Sequence, residues 1–155
     1  MALSFDLVLA SEVTPDDALR LVGGLTGGQV TAAGELVVGD AVVVTGAVVD
    51  DSDSREAYRD AWGFDVAVSL GFSIGPGEDD PGGRHAAEDT VAAAAACVAA
   101  HLDADAGFRL LGGTKLFLRR DGLLTLYFGW RPWNEPAVLA RVPAPYTIEP
   151  APAPD

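Results

Sequence analysis

Cys97 and His101 are the residues whose types and spacing come nearest to nucleophilic chemistry in this chain. Four apart on a helix they would be neighbours, and a thiol beside an imidazole is one form of activated nucleophile. The competing reading, a small buried thiol beside a helix-terminal histidine, carries more weight, because catalytic Cys/His pairs usually come from separate elements. His85 follows a Gly-rich segment and reads as a solvated helix-start residue. With two histidines and no HExxH spacing, a histidine-based metal site is not expected. Asp51-Ser-Asp53 and Asp103-Ala-Asp105-Ala-Gly107 offer alternate carboxylates, but neither has the loop glycine and distal glutamate of a calcium-binding EF-hand in register. The Gly-Gly pairs at 23–24, 27–28, 82–83 and 112–113 lack a following Lys-Ser/Thr and do not fit strand–GxGxxG–helix, so they read as turns. No catalytic residue, metal or cofactor is expected.

Aromatic residues are the other notable group. Tyr127, Trp130, Trp133 and Tyr146 crowd the last third of the chain among Pro132, Pro136, Pro143 and Pro145. Tryptophan and tyrosine dominate protein–protein hot spots. The same residues could equally complete a core at the end of a sheet.

Several elements would position these groups. Ser4–Ala10 alternates, with Phe5, Leu7 and Leu9 on one side, and predicts a half-buried strand. Thr14 offers an N-cap, Pro15 fits the first helical position, Asp16 and Asp17 suit a helix N-terminus, and Gly23-Gly24 would stop that helix. A valine-rich stretch predicts strands near 29–38 and 41–49 with a turn at Val38-Gly39-Asp40. Ser54 can cap a short helix to Ala61, with Gly63 ending it, and a strand follows over 66–74. The segment 75–83 reads as a flexible acidic loop.

An Ala-rich helix is expected from about Ala86 to Leu102. Glu88 and Asp89 would lie at its start, and Val91, Ala94, Ala95, Val98 and Leu102 on its inward face. A strand at Phe108–Leu111 leads to the strongest local signal, a hairpin of Lys115–Arg120 and Leu123–Phe128 joined by Asp121-Gly122. Its register would set Phe117 against Leu126 and Leu118 against Thr125. A short helix near Glu135–Ala140 and an edge strand at Tyr146–Glu149 complete the chain. The expected fold is α+β: a largely antiparallel sheet, the long Ala-rich helix packed on one face, and short peripheral helices. Residues 1–149 would form one domain, with an Ala/Pro-rich disordered tail at 150–155.

The chain has 155 residues, 49% hydrophobic, with 23 acidic against 10 basic side chains and a formal net charge of −13. One domain is the default at this length, and the apolar content is too high for an acidic disordered chain. Lys115 is the single lysine, and the arginines are dispersed. That argues against nucleic acid and against anionic membrane surfaces, whereas a basic protein partner would be steered in. The first ten residues lack a basic n-region and carry Asp6 in their apolar run, unlike a signal peptide. A single cysteine excludes an internal disulfide. A soluble cytoplasmic protein is expected.

The opening Met1-Ala-Leu-Ser-Phe-Asp-Leu-Val-Leu-Ala10, the central Ala61-Trp-Gly-Phe-Asp-Val-Ala-Val-Ser-Leu70, the closing hairpin, the aromatic stretch after it and Val142-Pro-Ala-Pro-Tyr146 together resemble one family. It is that of the SitI-type immunity proteins, protectors in bacterial swarm-inhibition toxin systems with many actinobacterial relatives. The preference for arginine over lysine and the Ala/Gly bias agree with a GC-rich genome of that kind. The loop at 75–83 departs from the family pattern, whose members are more charged and ordered there.

The resemblance implies a non-enzymatic protein that neutralises a cognate toxin by occluding its surface. Acidic loops would steer a basic toxin and aromatic residues would anchor it. The expected contacts are Trp130, Trp133, Asp51, Asp53, Glu78, Asp79 and Asp80. The alternative is a small-molecule-binding domain or enzyme with a pocket between the sheet and the 86–102 helix, near Cys97 and His101.

Overall fold

Alternating and periodic apolar residues are resolved into one sheet with helices on both sides. The computed structural model describes residues 3–75 and 81–152. In chain order the strands are β1 (Leu3–Ala10), β2 (Gln29–Val30), β3 (Leu36–Val38), β4 (Val42–Val48), β5 (Val68–Ile74), β6 (Asp105–Leu110), β7 (Lys115–Arg120), β8 (Leu123–Phe128) and β9 (Tyr146–Pro150). The helices are α1 (Pro15–Thr26), α2 (Ser52–Trp62), α3 (Pro81–His101) and α4 (Pro136–Leu139), the last preceded by a 3-10 turn at Arg131–Asn134. The described strands form a single sheet in the order β2-β3-β4-β5-β1-β6-β7-β8-β9. Its pairs are antiparallel except β8–β9, which is parallel. The fold is α+β, with an Ala-rich helix on one face.

The inner face of the sheet carries Phe5, Leu7 and Leu9 of β1, Leu70, Phe72 and Ile74 of β5, Phe108 of β6 and Phe117 of β7. All are buried with α1 and α3 in the main core. Alanine suits α3 on two counts: it has the best helix propensity, and its small side chain lets the helix lie close to its neighbours. Val91, Ala94, Ala95 and Val98 are buried as expected, whereas Leu102 is only partly so. Ala92, Ala93, Ala96 and Ala99 are buried too, because α1 and α4 flank the helix on the same layer.

The outer face carries a second, smaller core of Val8, Val49, Trp62, Phe64 and Val66 beneath α2. For that reason β1 is not half-buried, as its alternation predicts, but buried on both faces. A Cβ on Gly107 of β6 would lie 2.4 Å from Trp62 ring carbons, so only glycine admits the indole there. Lys115 Nζ donates to the Ala61 carbonyl and sits 4.9 Å over the Trp62 ring, while Arg120 donates to the Gly63 carbonyl at 3.0 Å. Both cations thereby hold the C-terminal end of α2, where the helix dipole favours positive charge.

Other boundaries move for identifiable reasons. Thr14 caps α1 as expected, but the helix runs through Gly23-Gly24 to a left-handed Gly27. Gly23 lies against β3, where a Cβ would come within 3.3 Å of Leu36 Cδ1. The strand expected over 29–38 breaks into β2 and β3 around a turn at 31–35. The cap of α2 is Asp51, not Ser54: the Asp51 carboxylate accepts the Ser54 N–H at 2.9 Å. Helix α3 starts at Pro81, inside the segment expected to be a loop. Glu88 and Asp89 therefore lie well inside the helix, and Asp89 pairs with Arg131 at 2.9 Å. The hairpin register Phe117–Leu126 and Leu118–Thr125 is as expected. Of the tail expected at 150–155, Pro150 belongs to β9, and residues 153–155 lie outside the described set.

Candidate interaction surface

Cys97 lies on α3, as expected, and its partner there is a backbone group. Its Sγ donates to the Arg141 carbonyl at 3.3 Å, and partial burial pushes the thiol pKa up from its ordinary value. Both effects favour the neutral thiol over the nucleophilic thiolate. His101 is exposed at the end of α3. The depression bordering α3, about 260 Å³, lies at the opposite end of that helix, between the β3–β4 turn and Gly83, Ala86, Ala87 and Thr90. This depression reaches neither Cys97 nor His101, near which the alternative reading would place a pocket, and buried alanines of α3 pack in the main core.

The acidic clusters are largely engaged within the fold. Asp103 pairs with Arg119 at 2.9 Å, while Asp105 accepts the Asp121 N–H at 3.0 Å and lies 3.4 Å from Arg120. Among the described residues, no group of three or more His, Cys, Asp or Glu side chains is arranged to hold a metal. Asp51 is exposed but serves as the α2 cap, and the Ser54 N–H holds its carboxyl below the usual range. Asp53 is exposed in the first turn of the same helix. Glu78, Asp79 and Asp80 lie outside the described residues.

The two tryptophans divide. Trp133 belongs to the core: it is 2% exposed, and its indole N–H donates to the Leu116 carbonyl at 2.9 Å. Its expected role as a surface anchor is therefore corrected to that of a core residue. Trp130 is partly exposed, packed edge-on against Trp133 at 5.1 Å and at a tilt against Phe5 at 5.5 Å. It forms one wall of a cleft of about 190 Å³ at the end of the sheet, where β6 turns into β7 and β8 runs out through Gly129. Leu110, Thr114, Lys115, Leu116, Tyr127 and Phe128 supply the rest of the lining.

Phe128 is 54% exposed and Leu111, beside Leu110, is 60% exposed. Sequence reasoning missed this cleft. The available signal was an apolar residue just before a glycine at both places where a strand ends, Leu111-Gly112 and Phe128-Gly129. Asp51 stands at the far end of α2 from Lys115, about 16 Å away for a helix of that length.

No helix among the described residues is long and apolar enough to cross a membrane. No curated protein and no solved structure matches the chain. A family model described as SitI3-like matches residues 3–137, from β1 into α4. The match takes in the cleft and both aromatic walls, and ends before β9 and the Val142–Tyr146 stretch that also resembled the family. The chain belongs to the SitI3-like family.

Proposed function

We propose that this protein is an immunity-type protein that acts without catalysis, binding a cognate bacterial toxin and covering the surface the toxin needs. The observation that carries this reading is the SitI3-like match across residues 3–137. It is supported by a cysteine held as a neutral thiol against the Arg141 carbonyl. The site of action is the bacterial cytoplasm, in an actinobacterium by its preference for arginine over lysine and its Ala/Gly bias. The partner carries a basic surface, complementary to a net charge of −13. Trp130 anchors it with Trp133 as support behind, while Asp51 and Asp53, together with Glu78, Asp79 and Asp80, steer its approach.

The test is co-expression in a sensitive bacterial host with the toxin encoded beside this gene. Protection that survives Cys97→Ser is expected. A toxin that kills equally with and without this protein overturns the proposal.

A further inference from the structure

The cleft walled by Trp130 and Phe128 has a size, a rim and a charge that together specify what it takes. At about 190 Å³ it is smaller than the roughly 300–1,000 Å³ of ordinary small-molecule pockets. It exceeds the ~150 Å³ apolar cavity that accommodates a benzene ring. One large apolar side chain fits that interval. The walls suit such a guest, since Leu110, Leu116 and Trp130 are apolar and Trp130 is braced from behind by Trp133. Rigid, partly desolvated aromatic pockets are where interface hot spots form. Phe128, more than half exposed at the mouth, gains most from being covered.

The rim adds a sign. Tyr127 of the lining is paired in register with Glu149 on β9, an exposed carboxylate with no ion-pair partner among the described residues. The cation of the lining, Lys115, is directed to the Ala61 carbonyl and the Trp62 ring. Glu149 is therefore the carboxylate beside this cleft that a cation of a newcomer can meet. A second copy of the chain, itself at −13, is repelled by the same field.

We infer that this cleft is the anchor site for the basic toxin, receiving one large apolar side chain whose Lys or Arg neighbour pairs with Glu149. The inference rests on the immunity reading and names the surface it uses. It is tested by calorimetric titration of the purified toxin domain encoded beside this gene into the wild-type protein and three variants. Phe128→Asp and Glu149→Lys alter exposed rim positions, while Val48→Asp alters an equally exposed apolar residue on β4. Circular dichroism confirms that each variant is folded.

The expected result is at least a tenfold loss of affinity for Phe128→Asp and for Glu149→Lys, with Val48→Asp within twofold of wild type. A wild-type complex unaffected by both rim variants overturns the cleft and leaves the immunity reading standing. Absence of wild-type binding removes both. A wild-type dimer in sedimentation that Phe128→Asp dissociates assigns the cleft to a second copy, and equally overturns the proposal.

Discussion

Asp6 sits on the face of β1 that alternation alone marks as solvent-facing, yet it is 7% exposed. The Tyr58 hydroxyl of α2 donates to its carboxylate at 3.2 Å, and Arg109 stands opposite it on β6. Burial is the larger influence and pushes its pKa up, against the opposing pull of Tyr58 and Arg109. The folded carboxyl thus binds its proton more tightly than the unfolded chain does. The stability it contributes is complete below the unfolded value near 3.8 and is lost as pH rises through the folded value. At neutral pH the buried charge is a net cost. Asp6→Asn keeps an acceptor for Tyr58 and removes that charge, so its melting temperature should exceed that of wild type at pH 7. The gap should close as pH falls towards 4 in scanning calorimetry. A variant less stable than wild type at pH 7 would show that attraction to Arg109 outweighs burial. None of this was legible in the sequence, because the cover over Asp6 comes from a helix some fifty residues away.

Elements whose signals are local were legible, and those defined by distant contacts were not. Asp121-Gly122 fixes its hairpin because φ is positive at both residues, a requirement met within the turn itself. Thr14-Pro15 likewise announces α1. The end of α1, the early start of α3 and the parallel seat of β9 depend on what packs beside them. The placement of α2 is of this second kind, since its docking depends on a missing side chain at Gly107 of β6, directly beneath Trp62. Gly107→Ala forces a methyl group into the Trp62 indole and should cost about 1–3 kcal/mol in chemical denaturation. Amide exchange should accelerate selectively over Ser52–Trp62. Unchanged exchange in α2 would mean that Lys115 and Arg120 alone suffice to hold the helix. The candidate site was half legible by the same rule. Trp130 was found by type, whereas the cleft is assembled by strand ends that are distant in sequence.

For the whole molecule, the −13 charge is less free than composition suggests. Asp17, Asp65, Asp89, Asp103 and Asp105 are ion-paired, and Asp51 caps a helix. The overall field remains acidic, and its effect on binding is a long-range one. Raising ionic strength from 0.05 to 0.5 M should slow association with the proposed basic partner by about tenfold or more in surface plasmon resonance, with dissociation changing far less. Association indifferent to salt would confine the acidity to solubility.

The position of β1 has a different consequence. It lies between β5 and β6 at the centre of the sheet, yet it precedes β5 by about sixty residues. At synthesis rates of about 5–20 residues per second, the wait for that neighbour lasts roughly 3–13 s. During that interval a strand with apolar residues at six of its eight positions leaves the ribosome with neither edge paired. A strand that ends deep in the native sheet must therefore stay unpaired for seconds after its synthesis, until β5 and then β6 arrive to flank it.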